Sequence, residues 1–219
     1  MSLLVYGIVE AGDVAPTGRG LDDRPLRGLA EGPLVAIVSD HDERTPEPTA
    51  GALGDYERTI RRLMDLGAIL PAQFGSMLAD EDAVRELLRR RRRDLLARLL
   101  SVRGAVEIGI RASWLGHVDG VPDSRPPSGG SYLRDRFELR QSARRVASVL
   151  EPLTSLSRGS RRSLVPQPDL PVLDAYLVDR GRVQEFVAMV EQLDDWLEDV
   201  ELVCTGPWPP YSFAEGAPV

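Results

Sequence analysis

The chain contains no lysine, so each of its 27 basic residues is an arginine. Without lysine the phosphate-binding sequence GxxxxGK[ST] is impossible, and the dinucleotide-binding sequence GxGxxG is also missing. The formal net charge is −7, which is unfavourable next to the negative backbone of nucleic acids. These features argue against a nucleotide-binding loop and against nucleic acid as a partner.

Cysteine and histidine are scarce. The single cysteine, Cys204, excludes internal disulfides, and its place in the apolar run "VELVC" predicts a buried small residue. The two histidines, His41 and His117, stand at strand ends or in loops and are expected to be exposed. No HExxH, CxxC or GxSxG is present. We therefore expect no metal site, no cofactor and no catalytic set.

Long apolar runs are missing too. No uninterrupted stretch approaches the roughly 20 residues that a membrane-spanning helix needs. The opening "MSLLVYGIVEAGD" carries no basic residues, so it does not resemble a secretory signal. We expect a cytoplasmic protein with no membrane partner. Its 219 residues, 42% of them hydrophobic, suit one large domain or two small ones.

Hydrophobic periodicity predicts a mixture of strands and helices. The predicted strands are 3–9, 33–40, 104–115, 171–179 and 200–206, with a weaker signal near 160–165. The predicted helices are 50–66, capped by Thr49 and ended by Gly67, then 80–100, 132–153 and 180–199. Residues 10–32 are expected to form a loop, and 68–78, interrupted by Pro71, an edge strand or extended segment.

This order of elements predicts an α/β (α+β) protein with helices packed on sheets. The segment 116–131 is rich in Pro, Gly and Ser, which predicts a mobile linker. The chain is expected to have four parts: an N-terminal domain over 1–116, a linker over 117–131, a C-terminal domain over 132–206, and a tail over 207–219.

Five consecutive arginines, 89–93, form the densest charge run. Consecutive helical residues point all around the axis, so this run cannot make a single basic face. A helix whose arginines pair with acids and water is the favoured interpretation. A patch that binds an acidic partner is the alternative.

The tail segment "TGPWPPYSF" (205–213) is rich in aromatics and prolines, whereas chain ends are usually polar. One hypothesis is a structural clasp, in which Trp208, Pro209, Tyr211 and Phe213 fold back into a groove between the two domains. The alternative is an aromatic peptide displayed for a partner.

Several segments together resemble a known family. In chain order they are "YGIV" (6–9), "LVAIVSD" (34–40), "EPT" (47–49), "ILPAQFGSML" (69–78), "GAVEIGIRASW" (104–114), "SYLRDR" (131–136), "YLVDRGRVQEF" (176–186) and "TGPWPPYSF" (205–213). They are similar to the gas vesicle protein F/L family (GvpF/GvpL) over nearly the full length. Gln73 and Ser76 stand where that family usually has arginine and threonine.

The resemblance implies an accessory, minor component of gas vesicles, the gas-filled protein shells that give cells buoyancy. Members of the family are thought to help assembly and to contact the main shell protein and other accessory proteins. The resemblance also implies an N-terminal α/β domain, a C-terminal domain with a modified ferredoxin-like fold, and no catalytic residues. It leaves open whether the chain is of the F or the L type.

The segment 69–78 is the predicted binding surface for the shell protein. It places apolar residues beside a proline that blocks regular strand pairing, and an unpaired edge of this kind can accept a partner strand. The predicted partner-binding residues are Leu70, Pro71, Phe74 and Met77.

Two functions remain open from the sequence. The first is a non-enzymatic protein for gas vesicle assembly. The second is a small-molecule-binding or enzymatic α/β domain, with the loop 116–131 as a lid over a site near His117.

Overall fold

The computed structural model describes residues 2–13, 18–42, 45–115, 137, 141, 144–163, 172–198 and 200–214. The chain is an α+β protein that divides into two compact units. The first unit combines Met1–Val106 with the C-terminal Trp208–Val219, and the second is Glu107–Pro207. The predicted first domain ended at 116, whereas the first unit ends inside a strand. The predicted linker 117–131 lies outside the described residues.

The first unit contains one sheet whose strands pair antiparallel. Its strands are β1 (Ser2–Glu10), β2 (Arg27–Glu31), β3 (Leu34–His41), β4 (Ile69–Pro71) and β5 (Met77–Leu78). The order is β2-β3-β1-β4, and β5 also pairs with β1, on a different stretch from β4. The central strand β1 thus has β3 on one side and two short strands in succession on the other.

Two helices pack on this sheet, α1 (Ala50–Leu66) and α2 (Glu81–Val102). Each begins with a side-chain cap. The Thr49 hydroxyl accepts a hydrogen bond from the Ala52 N–H (3.2 Å), and the Asp80 carboxylate accepts one from the Ala83 N–H (2.8 Å). These bonds satisfy backbone donors that have no partner within the helix. The predicted cap at Thr49 is confirmed.

The strand β1 is the core of the first unit. Residues 3–9 are all buried, although successive side chains point to opposite faces. Both faces of the strand are therefore covered, and both α1 and α2 contact it. Gly7 lies opposite Pro71 in β4, where a Cβ would stand 2.7 Å from the Leu70 carbonyl oxygen. A side chain at this position would force the two strands apart.

The second unit contains a four-stranded sheet of order β7-β8-β6-β9. Its elements are β6 (Ala105–Trp114), helical residues 144–149, α3 (Glu151–Ser155), β7 (Gly159–Ser163), β8 (Val172–Asp179), α4 (Val183–Asp194) and β9 (Val200–Trp208). The succession β-α-β-β-α-β is that of the ferredoxin-like motif. This agrees with the fold implied by the resemblance.

Three parts of the predicted secondary structure are wrong. The segment 10–32 contains β2, which the sequence hid because Leu29 is the only buried residue of this five-residue strand. The predicted helix 132–153 is interrupted at Leu150, and Pro152 lies in the first turn of the separate helix α3, where a missing N–H costs no hydrogen bond. Pro207 was expected to end the last strand, but β9 continues to Trp208 because it is an edge strand.

A fourth difference concerns α4, which ends at Asp194 rather than 199. The Asp194 carboxylate accepts a hydrogen bond from the Leu202 N–H of β9 (2.7 Å). This bond holds the chain as it turns from the helix into the strand.

We expect Gly7→Ala to lower the free energy of unfolding by about 1–3 kcal/mol, because the new methyl group overpacks the β1–β4 contact. The matched control is Gly51→Ala in the first turn of α1, where a Cβ meets nothing within 4 Å. Alanine favours the helix over glycine, so the control should unfold at an equal or higher urea concentration. Equal destabilisation of both variants in urea titrations would contradict the packing argument.

Candidate partner-binding surface

The sheet edge beside β1 is broken by a loop over residues 72–76. Strand β1 keeps hydrogen bonds on both sides of the break, since the Ala72 N–H donates to the Tyr6 carbonyl and the Val5 N–H donates to the Ser76 carbonyl (both 2.9 Å). Within the loop, the Ser76 hydroxyl donates to the Gln73 carbonyl (2.7 Å). Gly75 has a φ of 81°, a conformation that favours glycine. The loop is thus a tight turn.

The hydroxyl of Tyr56, on α1, fills the break. It lies 2.8 Å from the Val5 carbonyl oxygen, 3.2 Å from that of Ala72 and 3.1 Å from that of Gln73. A phenol has one proton, so these three acceptors share a single donor. Burial raises the pKa of the Tyr56 hydroxyl well above its usual value. Tyr56 therefore remains a donor at physiological pH and ties the loop to β1.

Phe74 projects from this loop onto Tyr56. The two rings meet edge to face with centroids 5.3 Å apart, and Tyr56 in turn stacks on Tyr6 at 5.0 Å. Aromatic pairs prefer such offset and edge geometries. Phe74 is half-buried, so one part of its ring is held by Tyr56 and another part remains accessible. The sequence did not predict this role of Tyr56.

The structure divides the four predicted partner-binding residues into two pairs. Leu70 and Pro71 are buried, because β4 pairs with the central strand and its residues enter the core. Of the predicted partner-binding residues, these two side chains are therefore enclosed in the core and not exposed at the surface. Phe74 and Met77 are half-buried and reach the surface.

The edge itself offers few backbone groups to a partner strand. Because the Ala72 N–H donates to Tyr6, residues 70 and 72 direct their backbone groups toward β1, and 69 and 71 direct theirs outward. Pro71 has no N–H to donate. The edge is then interrupted by the loop. This region therefore offers a partner a surface of side chains and not an open strand edge.

The C-terminal tail lies against the same helix. The guanidinium of Arg61 stands over the Trp208 ring, 4.2 Å from its centroid, and the Tyr211 hydroxyl donates to the Glu57 carboxylate at 2.9 Å. Arg61 also donates to Glu57 at 3.0 Å. Glu57 and Arg61, a helical turn apart on α1, thus hold two of the three aromatic residues of the tail.

The tail prolines complete this contact. Pro209 and Pro210 are buried, whereas Trp208, Tyr211 and Phe213 are half-buried. The 3-10 turn Tyr211–Phe213 also lies against β4. These contacts favour the clasp over a displayed peptide. They are made with α1 and β4 of the first unit, to which the tail itself belongs.

A buried chain of polar groups runs from Tyr6 to His41. The Tyr6 hydroxyl accepts from the Leu21 N–H (2.8 Å) and lies 3.0 Å from the Ser39 hydroxyl, which is 2.9 Å from His41 Nε2. His41 is only 4% exposed, so the expectation of an exposed loop histidine is wrong. Ser39 and His41 point to the same face of β3 because they are two residues apart.

Ser39, His41 and Asp22 resemble the residue types of a hydrolase triad, but their geometry differs. Ser39 is fully buried, and His41 Nδ1 is 3.8 Å from the Asp22 carboxylate, beyond hydrogen-bond distance. Burial lowers the pKa of His41, and the charge of Arg24 lowers it further. The group is a neutral, hydrogen-bonded part of the core with no access for a substrate.

The second unit holds a charged pair whose carboxylate is buried and whose arginine reaches the surface. The Asp174 carboxylate, on β8, accepts from Arg162 Nε (2.8 Å) and from the Tyr176 hydroxyl (3.0 Å). Tyr176 also packs against Phe186 of α4, with ring centroids 5.2 Å apart. Buried charges persist in proteins when they are paired in this way. This cluster ties the β7–β8 hairpin to the core of the unit.

The arginine run lies on α2 and is partly paired with acids. Arg89 contacts Glu31 and Glu86, Arg92 lies 3.5 Å from Glu31, and Arg91 pairs with Asp94. Arg90 and Arg93 are exposed and make no ion pair with the part of the chain that the structure describes. The run thus combines contacts to β2 with a solvated face.

Cys204 is half-buried on the edge strand β9 rather than buried as expected. Desolvation raises the pKa of its thiol, which therefore stays protonated near neutral pH. Among the described residues, no group of three or more His, Cys, Asp or Glu side chains is arranged to hold a metal ion. None of the described helices is long and apolar enough to cross a membrane.

The family described as gas vesicle synthesis protein GvpL/GvpF matches the chain over residues 2–126 and 129–215. The chain belongs to the GvpL/GvpF family. Gas vesicle protein L of Streptomyces sp. is 32% identical over 96% of this chain and 91% of its own length. Gas vesicle protein F of the same organism is 28% identical over 98% of this chain and 100% of its own length.

Solved structures give the same fold. The crystal structure of gas vesicle protein GvpF from Anabaena sp. matches with a TM-score of 0.78 at 18% identity, covering 98% of both chains. That of GvpF from Microcystis aeruginosa matches with a TM-score of 0.75 at 17% identity, covering 98% of this chain and 99% of its own.

The two segments that resemble the GvpL/GvpF family most specifically meet at α1. Tyr56 holds the loop of "ILPAQFGSML", and Glu57 and Arg61 hold the aromatics of "TGPWPPYSF". One turn of a helix therefore organises both segments, which are far apart in sequence.

We expect a chain truncated after Pro207 to melt at least about 4 °C below the full chain. The lost contacts are a cation–π contact of about 0.5–2 kcal/mol and a charge-assisted hydrogen bond of about 1.5–3 kcal/mol, and each kcal/mol shifts the melting temperature of a chain this size by about 2–4 °C.

The matched control is truncation after Ala214, which keeps every described tail contact and should melt like the full chain. Thermal melts followed by circular dichroism compare the three proteins. If the truncation after Pro207 melts like the full chain, the tail does not act as a clasp.

We also predict that His41 titrates below the ordinary histidine pKa of about 6.5. Because the folded pKa is lowered, the neutral imidazole is favoured in the folded state. Its contribution to stability is present above about pH 6.5 and is lost as the pH falls through the lowered pKa.

NMR titration of a His117→Gln variant measures this directly, since His41 is then the only histidine. The expected midpoint lies below that of the same protein in urea. A folded midpoint equal to or above the unfolded one would contradict the prediction.

Proposed function

We propose that this member of the GvpL/GvpF family is a non-enzymatic accessory protein that assists gas vesicle assembly in the cytoplasm. In this proposal it binds the main shell protein and other accessory proteins. Family membership over most of the chain supports the gas vesicle role. The single structural observation that carries the binding role is the half-exposed pair formed by Phe74, on the loop 72–76 that Tyr56 fixes, and Met77, the first residue of β5.

The loop has the properties of a binding hot spot. Its backbone is fixed by the Tyr56 hydroxyl and by the turn that Ser76 closes, so little conformational entropy is lost when a partner binds. Large side chains in a fixed position dominate the affinity of many interfaces. An apolar segment of the shell protein would fit the exposed edge of Phe74 and the side chain of Met77.

The alternative, a small-molecule or enzymatic site near His117, gains no support from the described residues. His117 and the proposed lid, 116–131, lie outside them. The other histidine is part of the core. The assembly role is therefore the function that the observations favour.

We expect Met77→Asp and Phe74→Asp each to weaken binding to the purified shell protein about 30-fold or more, the loss typical of a hot-spot residue. Met77→Asp is included because Phe74 also packs on Tyr56 and its replacement can disturb the fold. The matched control is Leu100→Asp, which changes a 69% exposed leucine of α2 in the same unit.

Pull-down and circular dichroism are measured on all four proteins. The proposal requires Met77→Asp, and Phe74→Asp if it keeps the wild-type spectrum, to lose the shell protein while Leu100→Asp retains it. Normal binding by a folded Met77→Asp variant, or equal loss in Leu100→Asp, would place the interface elsewhere.

A further inference from the structure

An arginine-lined cleft lies along α1, next to the tail contact. It has a volume of 440 Å³ and is lined by Arg19, Gly20, Asp55, Arg58, Thr59, Arg61, Arg62 and Asp65. Four arginines face two aspartates in this cleft, whereas the whole chain carries a net charge of −7. The cleft is thus locally basic on an acidic protein.

Two of the cleft arginines have acidic partners within the chain, and a ligand can replace these partners. Arg19 pairs with Asp23 at 3.2 Å and Arg58 pairs with Asp55, with arginine side chains 61% and 73% exposed. Exposed ion pairs of this kind contribute about 0–1 kcal/mol, so a carboxylate of a ligand can replace the internal partner at little cost.

Arg62 is held by a different contact. Its guanidinium donates to the Arg19 carbonyl at 2.6 Å, and no ion pair of Arg62 is found among the described residues. A guanidinium carries five N–H donors, so several remain for a ligand. Arg61 is occupied, because it contacts both Glu57 and Trp208. The available cations are therefore Arg19, Arg58 and Arg62.

We propose that this cleft binds an acidic peptide segment of a partner protein, whose carboxylates pair with Arg19, Arg58 and Arg62. Arginine pairs bidentately with carboxylates, and three such groups recognise several carboxylates along one segment. The surface is formed by other residues than Phe74 and Met77, so this interaction is additional to the proposed contact with the shell protein.

Two observations favour a peptide over a small anion. The cleft is far larger than a single phosphate needs. Its two aspartates flank the three arginines of α1, with Asp55 before Arg58 and Asp65 after Arg62, which repels a compact dianion but leaves room for spaced carboxylates. The capped N-terminus of α1, at Thr49, is not part of the lining, so no helix end concentrates backbone N–H groups there.

The test measures fluorescence anisotropy of a labelled hexaglutamate peptide with the full chain at low ionic strength, where screening is weak. The variant is the double change Arg58→Gln and Arg62→Gln. The matched control, Arg90→Gln and Arg93→Gln, removes the same two charges from the exposed face of α2 and leaves an identical net charge. Melting curves confirm that both variants are folded.

We expect the cleft variant to bind hexaglutamate about tenfold more weakly, the effect of losing roughly 0.7 kcal/mol per arginine, and the control to change affinity less than about twofold. Equal weakening in both variants would show general charge attraction and overturn the proposal. So would the absence of hexaglutamate binding to the unmodified chain.

Inorganic phosphate at matched ionic strength serves as the competitor. It should displace the peptide no better than chloride does. If phosphate displaces the peptide and chloride does not, the cleft binds a small anion and the proposal of a peptide ligand is wrong. None of these measurements involves the shell protein, so their failure is distinguishable from failure of the proposed function.

Discussion

The hydroxyl of Tyr56 is the contact on which the rest of the first unit depends. Its one proton is shared among three backbone carbonyls at the point where the sheet edge is broken, and of these the Gln73 carbonyl also accepts from Ser76. Without it those acceptors would lose a buried partner, which typically costs about 1–3 kcal/mol. The ring beneath the hydroxyl also supports Phe74 on one side and stacks on Tyr6 on the other. A single side chain thus joins helix, sheet and loop.

The neighbouring turn of α1 extends this organisation to the chain's C-terminal part. Glu57 and Arg61 lie a helical turn apart and hold Tyr211 and Trp208, so the tail belongs to the first unit although it follows the second in sequence. Closing a contact over so many residues costs chain entropy. Stiff prolines reduce that cost, because they restrict the unfolded chain.

Some of the arginines link elements of the first unit, and others lie at its surface. Arg27 binds both Asp40 and Glu81, and Arg89 binds Glu31, so arginines link β2 and β3 to α2. In the cleft beside α1, by contrast, Arg19, Arg58 and Arg62 have only exposed or backbone partners. The half-exposed Phe74 and Met77 form a separate apolar surface. The two surfaces differ in chemistry, so in the proposed function each one would contact a different kind of partner.

Local signals in the sequence determined the α+β class, the Thr49 cap and the long helices, because helix periodicity and capping depend on neighbouring residues. They did not reveal β2, the burial of His41 and Leu70, or the place where the tail packs. Those depend on partners distant in the chain: β2 on its register with β3, His41 on Ser39 and Tyr6, and Trp208 on Arg61. Tertiary structure decided them because the same short sequence is an exposed loop or a buried strand according to what packs against it.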